Sequence, residues 1–225
     1  MTRKRFAFFS WLLPIMLFVA SSAAFAQNGS VPEYRKGSIG INFGKAEPRG
    51  DLSDIFKQSF LLGFDVGYRP VKYFQFDAGV DLVGGAAGVS RTIFVRPVGG
   101  GPVETRKIKD REIFVPFGGR LVLPLVKNRI LLSGGGGFSY VRYAETPVTE
   151  GNETIECYSC SSRSGWGPYQ VASVQFILDK NKHFGIGVTG KWYQVTTKGG
   201  SISTSIGERS RDRFFNLGAN LGFYF

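Results

Sequence analysis

The chain has 225 residues, a formal net charge of +11, 31 glycines and 15% aromatic residues. That length fits one or two soluble domains, or one membrane barrel. No run beyond residue 26 approaches the roughly 20 apolar residues that a membrane helix requires, which excludes helical spans there. A mean hydropathy of −0.03 does not exclude a membrane β-barrel, whose lipid face takes only every second residue.

The first 26 residues have the form of a cleaved secretory signal peptide. Thr2-Arg3-Lys4-Arg5 is a basic start, Phe6 to Ala20 is apolar, and Ala24-Phe25-Ala26 has the small-x-small pattern of a cleavage site. Loss of Arg3, Lys4 and Arg5 lowers the net charge to +8. The remaining positive charge is scattered, so nucleic acid is a poor partner for an exported chain. Residues 27–36 are polar, contain a proline and form a flexible leader, leaving 37–225 as one domain.

From Gly37 onward the dominant signal is a period of two, the side-chain repeat of a strand. Gly37 to Gly44 alternates Ile39, Ile41 and Phe43 with small or polar residues. Ser59 to Arg69 sets Phe60, Leu62, Phe64, Val66 and Tyr68 against Gly63, Asp65, Gly67 and Arg69, and Tyr73 to Val83 continues in kind. Arg111 to Leu123 follows, with Pro116 predicting a bulge or irregular pairing because proline has no N–H to give to the ladder. Arg129 to Tyr143 carries the four glycines Gly134 to Gly137, which permit the sharp coiling of a narrow barrel. Gly167 to Leu178 has a blurred pattern that Gln170 breaks, whereas His183 to Val195 is regular. The last segment, Phe214 to Phe225, puts Phe215, Leu217, Ala219, Leu221, Phe223 and Phe225 on one face.

These are eight predicted strands. Their connections alternate without exception: short at 70–72, 124–128 and 179–182, long at 46–58, 84–110, 144–164 and 196–213. An up-and-down barrel with turns on one rim and loops on the other requires that order, and a sandwich does not. Aromatic residues also sort by depth. Tyr68, Tyr73, Phe74, Phe176, Phe184, Phe223 and Phe225 fall at the short-turn rim, and Phe60, Phe138, Tyr140, Trp192 and Phe215 near the other, as two interfacial girdles would.

With its Ala24-Phe25-Ala26 signal end, eight alternating strands and terminal phenylalanine, the chain resembles the small eight-stranded outer-membrane β-barrels of diderm bacteria, of the OmpA-barrel, OmpX and OmpW kind. The resemblance covers the whole mature chain and rests on pattern rather than on a diagnostic motif. It implies an all-β, eight-stranded antiparallel up-and-down transmembrane β-barrel in the bacterial outer membrane, with both termini and the short turns in the periplasm. It further implies that the closing strand, with Phe225, Phe223 and Leu221, is the signal read by the barrel-assembly machinery.

Candidate site residues follow from the parity of the strands. Asp65, Asp77, Asp81, Glu112, Arg120 and Lys191 all take the side away from lipid. An eight-stranded interior is about wide enough for side chains to fill it, and unpaired charge there is costly, so opposite charges are expected to pair. The outcome is either a structural plug of salt bridges or a gated, low-conductance path. Cys157 and Cys160 are the only cysteines. A local disulfide, contributing about 2 kcal/mol by ordering its loop, suits an oxidising compartment; a redox pair would need a helix N-terminus, and zinc would need more ligands.

In the long connections, Arg91, Arg96, Arg106, Lys107 and Lys109, with Arg111, give 84–111 a net charge of +4, whereas 144–164 carries −3. Such loops either attract each other over the barrel or offer lipopolysaccharide phosphates a basic patch. Arg49-Gly50-Asp51 spells an adhesion tripeptide, which turn-rich loops produce readily by chance. The single histidine, His183, falls at a short turn, so no serine–histidine machinery can assemble among the loops, and the expectation is no enzyme, no cofactor and no metal. The expected role is that of a monomeric integral barrel, structural or surface-interacting, whose loops contact lipopolysaccharide or an external partner. The alternatives are a narrow porin-like channel or carrier for small solutes, apolar ones among them, and an adhesin.

Overall fold

The computed structural model describes residues 34–49, 53, 57–85, 92–97, 104–147, 155–157, 162–200 and 209–225. The expected signal peptide, and all but the last three residues of the expected leader, lie outside them. The described strands are β1 (Gly37–Arg49), β2 (Ser59–Val71), β3 (Phe74–Gly85), β4 (Thr92–Pro97), β5 (Glu104–Leu125), β6 (Ile130–Pro147), β7 (Ile155–Cys157), β8 (Ser162–Ile177), β9 (Phe184–Gly199) and β10 (Arg209–Tyr224). Eight of them pair antiparallel in the circular order β3-β2-β1-β10-β9-β8-β6-β5, and β5 returns to pair with β3. The sheet therefore closes on itself. Closure leaves no exposed edge in the barrel wall, which backbone groups in lipid demand.

The first and last strands meet in register over Ser38↔Tyr224 to Arg49↔Arg213. At the short-turn rim Gly37 N donates to Phe225 O at 2.7 Å, and Phe225 N donates to Gly37 O at 2.9 Å, so the two ends lock together. Three tight turns share that rim, at 72–73, 126–129 and 178–183. In the second of them Val126, Lys127 and Asn128 all take left-handed φ values of 48–65°.

Side-chain alternation on these staves builds two surfaces. Phe60, Phe138, Phe184 and Leu221 stand on the outside with more than half of their surface exposed. On β10 the outward apolar series runs from Phe215 to Phe225. Ten residues at about 3.3 Å each, tilted by about 40°, cover roughly 25 Å of height, the depth of a barrel's lipid-facing band. The inward series is buried, and this interior is the protein's core.

Three prolines mark the irregularities in the wall. The β2–β3 register shifts between Tyr68 and Val71, around Pro70. The β3–β5 ladder jumps from Ala78↔Phe117 to Asp81↔Phe114 beside Pro116, and β8–β9 jumps from Trp166↔Thr196 to Tyr169↔Tyr193 beside Pro168. At Pro116 two pairs drop out with no change of register, so the irregularity is a gap rather than a bulge.

The strands run further on the long-loop side than alternation of apolar residues indicates. The fourth predicted strand starts at Glu104 rather than Arg111, the fifth ends at Pro147, the sixth starts at Ser162, the seventh ends at Gly199 and the eighth starts at Arg209. Two connections expected to be loops contain β4 and β7. β4 pairs with β5 (Thr92↔Lys107 to Val95↔Glu104), and β7 pairs with β4 (Val95↔Cys157, Arg96↔Glu156, Pro97↔Ile155). These additions stand above the lipid-facing band, where no solvent-averse face is selected and the period-two signal fades. Backbone pairing alone extends the sheet there.

Candidate functional site

The interior is filled in layers, each supplied by inward positions of several strands. Nearest the short-turn rim, Val122, Leu131, Ile177 and Tyr224 form a buried apolar cluster. Next comes the Arg120 centre: its Nε donates to Asp77 Oδ2 at 2.5 Å, Gln75 donates to Asp77 Oδ1 at 2.6 Å, and Arg69 donates to Gln75 Oε1 at 3.2 Å. Deeper still is Lys191. Its Nζ donates to Asp65 Oδ1 and to Asp81 Oδ1, both at 2.8 Å, and all three side chains lie at or below 15% exposure.

The carboxylates have further donors. Tyr193 OH and Asn216 Nδ2 reach Asp81 Oδ2 at 2.8 and 3.4 Å, and Asn42 Nδ2 reaches Asp65 Oδ2 at 2.5 Å. From Asn42 a chain of amides continues toward the rim. Asn220 donates to Asn42 at 2.8 Å, Gln175 donates to Asn220 at 2.6 Å, and Tyr224 OH donates to Gln175. Opposite charge and several donors to each carboxylate are what make buried ions tolerable, although among the described residues Arg69 Nε and Asn216 Oδ1 are buried without a hydrogen-bond partner.

Above Lys191 the chemistry changes to aromatic. Phe114 lies 4.5 Å from Tyr193 and 5.1 Å from Phe214, centroid to centroid, and Tyr169 stacks on Tyr193 at 5.7 Å. These four rings come from β5, β9, β10 and β8, and all are buried. At the outer mouth polar groups return: Arg163 donates to Thr197 Oγ1 at 3.1 Å and Ser210 Oγ at 3.0 Å, and both hydroxyls donate to Asp212. A cavity of about 30 Å³ remains among Ser38, Arg69, Gln75, Ser133 and Thr189. That is room for about two waters, not for a solute.

Of the six charged residues singled out by parity, five fall into these two ionic centres. Glu112 sits further out, one inward position beyond Phe114 toward the long-loop rim, and is buried. Arg69, Gln75, Asn42, Asn220 and Tyr193 belong to the same network without having been singled out. Each has the inward parity of its strand, so the signal was there; attention to charge alone passes over neutral donors. Phe114, Phe214 and Tyr169 are harder to find, because an aromatic residue in a membrane strand invites assignment to lipid.

The other residues named from sequence are placed as follows. Arg96 lies in β4, and Arg106, Lys107 and Lys109 lie in β5, within ladder rather than loop. Arg91 and Cys160 are outside the described residues, as are Gly50 and Asp51; Cys157 lies in β7, opposite Val95. Phe225, Phe223 and Leu221 are on the outer face of the closing strand and its end, with Phe223 and Phe225 rings 6.0 Å apart. His183 is in the β8–β9 turn, its Nδ1 2.9 Å from the carbonyl oxygen of Tyr224. A carbonyl only accepts, so Nδ1 carries the proton, and Nε2 accepts from Arg35 Nη2 at 3.1 Å. The ring also stacks on Phe223 at 5.8 Å, tying the turn to β10.

A closed antiparallel barrel with an apolar outer band and a filled polar interior defines the class: a transmembrane β-barrel of eight strands. Among solved structures it is similar to the outer membrane protein OprG from Pseudomonas aeruginosa, with a TM-score of 0.51, 12% identity and coverage of 85% of this chain and 98% of that one. Similar structures also include Neisserial surface protein A, with a TM-score of 0.48, 12% identity and coverage of 84% and 97%. Ail of Yersinia pestis matches with a TM-score of 0.46, 12% identity and coverage of 84% and 99%. No protein-family model and no curated protein matches the chain. At such identities the likeness is one of fold, and the fold is that of the small eight-stranded outer-membrane barrels.

Proposed function

We propose that the protein is an integral barrel of a bacterial outer membrane with a structural or surface-interacting role, and that it does not conduct. The observation carrying this reading is the layered interior: an apolar cluster, the Arg120–Asp77 and Lys191–Asp65–Asp81 centres and a four-ring aromatic layer succeed one another along the axis. Opening a path would require separating buried ion pairs and unstacking the rings together. Function then falls to the surface beyond the long-loop rim. There β4, β5 and β7 bring Arg96, Arg106, Lys107 and Lys109 into one sheet, a basic element for lipopolysaccharide or an external partner. A Cys157–Cys160 bridge would order the adjoining segment. The chain works as a monomer, inserted by the barrel-assembly machinery through the strand that ends at Phe225.

The test is conductance of the purified barrel in a planar bilayer. The expected result is no reproducible unitary current at moderate voltage. Regular unitary steps from the folded, heat-modifiable form would establish the channel or carrier instead.

A further inference from the structure

A second small pocket, about 20 Å³ in volume, lies at the short-turn rim on the lumen side of the wall. It is framed by the segment before β1, the end of β2, the β5–β6 and β8–β9 turns and the end of β10. Among the described residues three cations line it, Arg35, Arg69 and Lys182, and no acid does. The backbone brings the first two together: Arg69 N donates to Lys36 O at 2.6 Å, so the segment carrying Arg35 runs beside the end of β2.

Both arginines are held by neutral acceptors. Arg69 Nη2 donates to the Gln75 amide oxygen at 3.2 Å. Arg35 Nη2 donates to Asn181 O at 2.7 Å and to His183 Nε2 at 3.1 Å. The neighbouring acids are engaged elsewhere. Asp77 pairs with Arg120, Asp65 and Asp81 pair with Lys191, and Asp179 accepts from the N–H groups of His183 and Phe184. These cations are therefore positioned without being neutralised.

Arg69 adds an independent observation. Its side chain is only 5% exposed, and its Nε has no hydrogen-bond partner among the described residues. It lines both this pocket and the 30 Å³ cavity behind it. A buried guanidinium donor without an acceptor is costly, and two further cations on the same pocket add repulsion.

We propose that this pocket binds a phosphate group carried by a soluble molecule on the short-turn side. That side is the periplasm in the membrane-barrel reading, on which the inference rests. Guanidinium groups meet phosphate oxygens through charge-assisted hydrogen bonds, and an ammonium supplies a compact point charge. Arg69 Nε is the buried donor, Arg35 and Lys182 supply charge at the entrance, and three cations favour a dianion over a carboxylate. The volume admits one oxygen-sized group, so a phosphate enters by an oxygen and leaves the rest of its molecule outside. Arg69 and Tyr224 have the inward parity of their strands, so a headgroup against the outer wall does not reach them.

The experiment is an NMR titration of the folded barrel in nonionic detergent micelles, at constant ionic strength and mildly alkaline pH. Inorganic phosphate, acetate and lysophosphatidic acid are added separately, and the Arg69 Nε–Hε resonance reports occupancy. Phosphate is expected to shift that resonance saturably, and acetate to bind roughly tenfold more weakly. Arg35→Gln and Lys182→Gln should each weaken phosphate binding by roughly tenfold. Lys127→Gln/Lys180→Gln, on the same rim but outside the pocket, should leave it unchanged. A resonance that does not respond to phosphate overturns the pocket, and this needs no variant to fold. Equal weakening by Lys127→Gln/Lys180→Gln also overturns it, because the attraction would then belong to the whole rim. So does acetate binding as tightly as phosphate, and tighter binding of lysophosphatidic acid overturns the soluble source. The heat-modifiable gel band separates the two readings: its absence undoes the barrel, and its presence with an unresponsive Arg69 undoes only the pocket.

Discussion

Lys191 is the residue on which the interior turns. Its ammonium answers two carboxylates from strands more than a hundred residues away in sequence. Replacing it by methionine keeps the volume but leaves Asp65 and Asp81 facing each other in a site that water hardly reaches. Removing one partner of a buried ion cluster costs about 3–5 kcal/mol. Denaturant unfolding of Lys191→Met in micelles should show a loss of that order, and adding Asp65→Asn and Asp81→Asn should recover part of it. An unchanged midpoint would mean that the cluster is incidental to stability.

Asp179, outside the membrane band in the β8–β9 turn, titrates in the same spirit. Partial desolvation would raise its pKa, but the N–H groups of Phe184 and His183, both donating to Oδ1 at 2.8 Å, outweigh that and hold it below the ordinary aspartate value. A depressed folded-state pKa gives stability that is fully present above the unfolded value and lost as pH falls through the folded one. Amide hydrogen exchange at His183 and Phe184 should therefore accelerate only on acidification below the usual aspartate range, and at all pH values in Asp179→Asn. Loss of protection at a higher pH would point to another group.

Among elements, the closing strand shows how far local pattern reaches. The alternation from Phe215 to Phe225 is plain in the sequence, yet it is shared by several other staves. What distinguishes β10 is its position between β1 and β9, with Phe225 exchanging both backbone hydrogen bonds with Gly37. Deleting Phe225 should reduce insertion in cells more than it reduces the thermal midpoint in detergent, as scored by the unboiled gel band from membranes and from refolded protein. Equal losses would reduce the terminal residue to packing.

Strand ends were less legible than strand centres. Inside the band, lipid on one side and packed lumen on the other select residue types at every position, so the facing of side chains through β2, β3 and β9 follows from composition. Above it nothing apolar needs to be hidden. Glu104 to Asp110 reads as a charged loop but continues β5, because neighbours on both sides supply ladder partners. β7, three residues long, has no pattern to detect.

For the whole molecule, closure is the decisive step. The β3–β5 pairing completes the ring, satisfies the wall's backbone groups and encloses a space that side chains fill. Two chemically different seals in series, ionic and aromatic, are the reason to expect no conductance, since a fluctuation that parts one leaves the other shut. The same closure gives parity its meaning: every charge on a stave at the rim points either into a narrow mouth or to the outside of the barrel.

The sequence by itself determined the staves, their facing, the alternation of turns with long connections and the sign of the charges. Those properties are local, written every second residue by the contrast between lipid and lumen. Only the tertiary structure decided which charges meet. The Lys191–Asp65–Asp81 and Arg120–Asp77 clusters and the aromatic layer over them depend on register between strands distant in the chain. Register is set by how the sheet closes, and no single strand records it.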